Sequence, residues 1–256
     1  MTTRSQLLRL ALVGALMLGG LGSLLAGVLL SSATEPMPVS STAPAYEIPS
    51  VGTSPVREAS PSVPAARGVA ELADPAWVTR VAKAGRIPER ALAAYAGAAI
   101  AVRESHPGCG LGWNTLAAIG LVESEHGSID GSAIGPDGVA APPIVGVALD
   151  GKGVAAIRDT DRGVLDGDAT WDRAVGPMQF IPATWAAAAR DGNLDGVTDV
   201  QNIDDAALAA AVHLCGVGGD LTVGENWIAA IAAYNDDATY NNRVAEAATR
   251  YARLEG

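Results

Sequence analysis

The chain has 256 residues, enough for one large domain or two small ones, and its composition of 49% apolar and 18% charged residues excludes wholesale disorder. Its 15 Pro and 30 Gly fall at irregular positions, which excludes a collagen-like or coiled-coil rod. With 28 Asp and Glu against 17 Lys and Arg the formal charge is −11, the wrong sign for the counterion-release attraction that drives most nucleic-acid binding, so nucleic acid is excluded as an expected partner.

Arg4 and Arg9 precede Leu10 to Leu30, 21 residues without a charge. This run is longer than the apolar core of an ordinary signal peptide (about 7 to 15 residues) and close to the roughly 20 residues that span a bilayer. Residues 1–33 are therefore expected to form an export segment. The Leu/Gly-rich texture favours a signal peptide cleaved near Ser31 to Ala33, whereas the length favours an anchor in the cytoplasmic membrane. Basic residues stand only on its N-terminal side, so the positive-inside rule places the rest of the chain outside the cytoplasm, on the outer face of the membrane or secreted. The absence of Cys between this run and Cys109 excludes a lipoprotein anchor. In an oxidising compartment Cys109 and Cys215 are expected to pair. From Thr34 to Gly68 seven prolines lie among Ser, Thr and Ala with no helical or alternating period, the texture of an extended, disordered tether.

The globular part is expected over residues 69–256, and it reads as helix after helix. The pattern predicts helices over Pro75 to Ala84, Pro88 to Ser105, Trp113 to His126, Pro182 to Arg190, Asp204 to Leu214, Asn226 to Asn235 and Tyr240 to Leu254. Between Gly127 and Trp171 lies a Gly-, Pro- and Asp-rich insertion whose β-branched runs, such as Ile144 to Leu149, suffice only for a hairpin. The fold class is thus all-α, with a small β hairpin in an insertion. Long irregular insertions in compact helical domains are often functional.

One helix carries an anomaly. Leu116, Ile119 and Gly120 lead at helical spacing to Glu123, while Ala117, Ala118, Leu121 and Val122 make the other sides apolar too. A carboxylate ending such a helix is either paired with a cation in the core or placed at a cleft, where desolvation raises its pKa toward that of a general acid. Glu125 faces another side and cannot share the task. Downstream comes Gly176-Pro177-Met178-Gln179-Phe180-Ile181-Pro182-Ala183-Thr184-Trp185, a tight turn running into a helix, and later Ala233-Tyr234-Asn235.

Glu123-Ser124 with Gly127, then Gly-Pro-Met-Gln-Phe-Ile-Pro-Ala-Thr-Trp, then Ala-Tyr-Asn, together resemble the lytic murein transglycosylases of the membrane-bound B type, most closely their actinobacterial branch. The resemblance covers about Ile87 to Tyr251 and includes the Pro-Gly-Cys-Gly-Leu-Gly-Trp lead-in at Pro107 to Trp113. It implies a lysozyme-like helical fold around a glycan groove, and cleavage of the bond between N-acetylmuramic acid and N-acetylglucosamine in peptidoglycan without a catalytic cofactor. Glu123 would be the catalytic acid and base, and Ser124 would support it and bind substrate beside it. Gln179 would contact substrate beside Met178 and Phe180, and Tyr234 with Asn235 would line the opposite wall. Core packing is the competing reading for Met178 and Phe180, and a helix-end hydrogen bond for Tyr234 and Asn235. The implied product carries 1,6-anhydro-muramic acid ends; a hydrolytic muramidase, with Asp159 or Asp161 as a second acid, and a non-catalytic wall-binding scaffold are the alternatives. Proteins of wall synthesis or division are candidate partners for such an enzyme.

A second signal lies at Asp191-Gly192-Asn193-Leu194-Asp195-Gly196-Val197-Thr198-Asp199, where oxygen side chains alternate around a Gly as in an EF-hand loop. The twelfth position is Asn202, and similar transglycosylases close a longer loop with a carboxylate at the fifteenth, here Asp205. Structural Ca²⁺ held by Asp191, Asn193, Asp195, the Val197 carbonyl and Asp205 is one reading, and an Asp/Gly turn capping the next helix is the other. His106, His126 and His213 are too scattered for a zinc set and read as ordinary polar positions. Trp77, Trp171 and Trp227 read as core.

Overall fold

The computed structural model of the protein describes residues 48–58 and 67–255; the expected export segment and much of the tether lie outside the described residues. Among the described residues no helix is long and apolar enough to cross a membrane. The described residues are mainly α-helical, with seven α-helices and two small antiparallel sheets.

Helix α1 (Pro75–Gly85) starts where the sequence signals place it, with Pro75 in the first turn and the Asp74 carboxylate accepting from the Trp77 amide at 2.7 Å. Helix α2 (Glu89–Ser105) is the central element. Ten of its residues are buried, and its small Ala and Gly side chains let neighbours approach on several sides. Gly97 is required by one such approach, because a methyl group there would overlap the Val69 carbonyl. Helix α3 (Trp113–Ser124) packs against α2 and is buried nearly all round through Gly120. Gly120 faces the Tyr95 hydroxyl of α2, and a side chain at that position would collide with the ring.

Helices α4 (Pro182–Ala188), α5 (Ile203–Gly218), α6 (Gly224–Tyr234) and α7 (Ala238–Ala252) complete the bundle, α5 lying along α2 and α7 along α3. All seven predicted helices are present. The largest boundary difference is at α5, which runs on through His213-Leu214-Cys215 to Gly218 with Leu214 and Cys215 buried. Cys109 and Cys215 form a disulfide, Cα atoms 5.4 Å apart, that ties the glycine-rich lead-in of α3 to the last turns of α5.

The insertion departs from the expected single hairpin. β1 (Ala133–Ile134) pairs with β2 (Ala140–Ala141), whereas β3 (Val145–Ala148) pairs with β4 (Arg173–Val175) across the intervening loop. Residues 149–172 between them are held by side chain to backbone bonds: the Asp172 carboxylate accepts from Thr160, and Asp166 and Asp168 accept from Arg173. Aspartates thus supplement the isolated backbone pairings of this segment, Asp150 with Ala156 and Arg158 with Trp171.

Residues 48–58, expected in the tether, lie instead along the domain. Asn114, fully buried in the first turn of α3, accepts from the Gly52 amide at 2.7 Å and donates to the Ser50 and Ala248 carbonyls at 3.0 and 3.1 Å. The Ser54 hydroxyl donates to the Ala96 carbonyl, and Val56 bridges to Ala73. An extended segment without apolar periodicity carries no sequence sign of this, because its attachment runs through backbone groups.

Candidate active site

Helix α3 ends on a left-handed cap at Glu125 that a second left-handed residue, His126, extends. Glu125 and His126 both take positive φ, 52° and 60°, and the Glu125 amide bonds back to Leu121. The chain therefore reverses immediately after Glu123 and Ser124, leaving both on the last helical turn. The Ser124 hydroxyl accepts from the Gly127 amide at 2.7 Å and donates to the Pro177 carbonyl at 2.5 Å. One buried hydroxyl thereby fixes the reversal and docks a second segment onto it.

That second segment is the Gly-Pro-Met-Gln turn. Val175 and Phe180 exchange backbone hydrogen bonds at 2.8 and 2.9 Å, closing a loop in which Gly176 has φ 77° and Gln179 φ 50°. A side chain at Gly176 would overlap the Val200 carbonyl, so the close approach demands glycine. The Met178 carbonyl accepts from the Tyr234 hydroxyl at 2.8 Å. Held by Ser124 on one side and Tyr234 on the other, the turn presents Gln179 to the same space as Glu123.

The space is a cleft of about 500 Å³, measured out to solvent, lined by Glu123, Gln179, Phe180, Tyr234, Asn235 and His213 among others. Glu123 is half-buried there and is the only carboxylate among the lining residues. Its Oε1 accepts from the Tyr240 hydroxyl at 2.6 Å. Burial raises the Glu123 carboxyl to about 7, against the opposing pull of the Tyr240 hydrogen bond and the positive charge of Arg243. Tyr234 and Tyr240 are pushed well above the usual phenol range, first by burial and then by the Glu123 charge, so both keep their protons as donors. A carboxyl that titrates near neutrality, steadied by a phenol and facing an amide across an open cleft, can give and take a proton at one place.

The structure brings together Glu123, Gln179, Phe180, Tyr234 and Asn235. Phe180 is 2% exposed, stacked edge-on with Trp185 and Tyr234, and serves the cleft as its floor. Asn235 does both things weighed for it: it lines the cleft, and its side chain accepts from the Asp237 amide beyond the end of α6. Two of the proposed substrate contacts are corrected. Met178 is fully buried and offers the site only its backbone carbonyl, and Ser124, 1% exposed, turns away to Pro177. Tyr240 and His213 are the site residues that sequence reasoning missed. His213 stands beside Tyr234 and borders the cleft, and burial lowers its pKa. Tyr240 follows Tyr234 by six residues across a helix break, and only the capping pattern at Asp237 hints that the chain turns back there.

Asp159 and Asp161 do not line the cleft; their carboxylates accept from the amides of Asp161 and Gly163 and of Val164 and Leu165. Trp77 and Trp227 are core, while Trp171 is half-exposed with the Arg158 guanidinium 3.9 Å above its ring.

In the Asp191 to Asp205 loop, Asp191 accepts from the Asp195 and Gly196 amides, Asn193 from the Asp195 amide and Asp195 from the Val197 amide. Asp205, buried in the first turn of α5, closes the loop by accepting from Gly192 and Asp199, both at 2.7 to 2.8 Å. The donor set is all hard oxygen in a closed loop, which fits Ca²⁺. Among the described residues, the group of three or more acids whose oxygens all lie within 4.8 Å of one another is Asp159, Asp161 and Asp172, outside this loop. Compared with models of known families, with characterised proteins and with solved structures, the chain matches none.

Proposed function

We propose that the protein is a peptidoglycan lytic transglycosylase with a lysozyme-like helical domain, working in cell-wall turnover outside the cytoplasm. The observation that carries this reading is the single carboxyl, Glu123, placed in a cleft with Gln179, Tyr234 and Asn235 and held near neutrality. Glycosidases that hydrolyse by the common routes need two carboxylates, one as acid and one as nucleophile or base. Here a second acid is lacking among the lining residues, so the substrate would supply its part.

Protonated Glu123 gives its proton to the glycosidic oxygen as the bond from C1 of muramic acid breaks. The 2-acetamido oxygen of the same sugar stabilises the positive C1. Glu123, now a carboxylate steadied by Tyr240, takes the proton of the C6 hydroxyl; O6 bonds to C1, the acetamido group is released and Glu123 is again protonated. Gln179 and Asn235 supply the amides that hold the N-acetyl group, and Phe180 the apolar floor. The Asp191 to Asp205 loop would hold a structural Ca²⁺ that takes no part in these steps.

Mass spectrometry of muropeptides released from purified peptidoglycan tests the reading. The expected main products are lighter by one water than the hydrolytic ones. Reducing ends as the main product would establish a muramidase, and no release by the folded protein would leave a wall-binding scaffold.

A further inference from the structure

The turn that presents Gln179 is held at Pro177 and Met178 by Ser124 and Tyr234, and its first residue, Gly176, is held from a third side. The Gly176 amide donates to the Ile144 carbonyl at 2.9 Å. That carbonyl also accepts from Nε2 of Gln201 at 2.9 Å, and the Ile144 amide donates to Oε1 of Gln201 at 2.9 Å. The side-chain amide of Gln201 therefore satisfies both backbone groups of Ile144, as a neighbouring strand would, immediately before β3. The shared carbonyl uses both its lone pairs, one for Gln201 and one for the turn.

Gln201 is itself a fixed point. Its backbone amide donates to the Asp199 carboxylate and its carbonyl accepts from the Ala140 amide, both at 2.9 Å, while the Asp199 amide is clasped by Asp205 at 2.8 Å. Val200, next to it in the chain, is buried, and its carbonyl is the group that leaves no room for a side chain at Gly176. Gly176 in turn orients Gln179. The Gln179 amide and its Nε2 both donate to the Gly176 carbonyl at 3.0 Å, and Nε2 also reaches the Ala174 carbonyl at 3.4 Å. With Nε2 committed to the main chain, Oε1 is the atom left for a ligand. It lies beside Gly146 of β3, where an added methyl group would stand 3.0 Å from it.

We propose that Gln201 is a positioning residue for the candidate site. By pinning Ile144 it fixes Gly176 on one side of Gln179 and the start of β3 on the other, and so aims the Gln179 Oε1 as an acceptor for an N–H of the ligand. Gln201 is not among the residues that line the cleft, so its action runs through the turn. On the glycan reading above, on which the identity of the ligand rests, that N–H belongs to an N-acetyl group.

The full chain tests this with Gln201→Ala and with Gln201→Met, which keeps the length of the side chain and none of its hydrogen bonds; thermal melts check folding. Amide hydrogen exchange is the first arm. Loss of one neutral hydrogen bond changes a local opening equilibrium by about three- to tenfold, so the Ile144 and Gly176 amides should exchange faster by about threefold or more relative to those of α2, in both variants. Binding of tri-N-acetylchitotriose is the second arm. Both variants and Gln179→Ala should weaken it, and Gln201→Ala combined with Gln179→Ala should bind no worse than Gln179→Ala alone. Unchanged exchange at Gly176, parental binding by the Met variant, or losses that add in the double variant would each overturn the positioning role. Faster exchange at both amides in a protein whose parent form does not bind the sugar would leave the hold of Gln201 on the turn standing and count against the glycan reading instead.

Discussion

The Tyr240 hydroxyl donates to Glu123 at 2.6 Å, joining the first turn of α7 to the last turn of α3. Asp237 fixes that first turn, its carboxylate accepting from the Tyr240 amide at 2.8 Å. A helix cap on one element thereby places the donor that steadies the acid on another. The bond favours the charged form of Glu123, and burial outweighs it.

Replacing Tyr240 with Phe should therefore raise the Glu123 pKa above about 7. A hydrogen bond to a charged group contributes roughly 1.5 to 3 kcal/mol, equivalent to about one to two pH units. Proton donation by Glu123 fails as pH rises through its pKa, so the alkaline limb of the pH–activity profile should move upward by about one unit or more. An unmoved limb, with the variant folded, would show that the pair is not coupled.

Glu123→Gln should lower lytic activity by at least the roughly 10²-fold to 10⁴-fold that general acid–base catalysis contributes. It should also stabilise the protein. Because the folded-state pKa is raised from 4.5 to about 7, ionisation opposes folding; the penalty is absent below 4.5, grows between the two values and is complete above about 7. The variant's gain is expected to be on the order of 1 to 3 kcal/mol at pH 8 and to vanish near pH 4. Thermal melts at the two pH values check this, with the exposed Glu246→Gln as a control that should change neither activity nor stability. A variant less stable than the parent at pH 8, with the loss fading near pH 4, would instead place Glu123 in an ion pair, and a change that does not depend on pH would mean that folding leaves its pKa unshifted.

Several helices were legible from their punctuation: Asp74 and Pro75 open α1, Pro182 opens α4 and Asp237 opens α7. Glu123 was legible because a carboxylate interrupts an otherwise apolar helix. What escaped was everything that depends on which backbone group meets which side chain. Ser124 and Met178 sit in the right motifs, yet the first donates to a carbonyl behind the cleft and the second supplies one. Tyr240 could not be chosen over other tyrosines without knowing that α7 folds back on α3. The docked segment 48–58 was hidden for the same reason, since its partners are Asn114 and Ala96, about 40 to 60 residues away in the chain.

Asn114→Ala should expose the importance of that segment. The substitution strands the Gly52 amide and two carbonyls in or near the core. Buried polar groups left without partners cost about 1 to 3 kcal/mol each, so a loss of about 2 to 4 kcal/mol is expected. Limited proteolysis should then cut within residues 48–58, which the parent protects. A variant of parental stability whose segment stays protected would mean that the Ser54 and Val56 contacts suffice alone.

The final prediction concerns the acidic loops. Asp205 is buried, and burial raises its pKa while the nearby Asp191 charge pushes the same way, so a cation bound among these oxygens relieves a repulsion already present. A ligand that binds only the folded loop stabilises by mass action, about 2.7 kcal/mol at a hundredfold excess over Kd. Millimolar Ca²⁺ should therefore raise the melting temperature, and chelation should reverse the rise. Asp195→Ala removes a side-chain oxygen from the loop and should abolish the effect. Asp161→Asn should leave it intact, because Asp161 belongs to the separate group with Asp159 and Asp172. A rise that survives the first substitution and is lost with the second would move the metal to that other group. No rise in the parent would mean that Asp191 to Asp199 is a turn leading into α5, with Asp205 as its clasp.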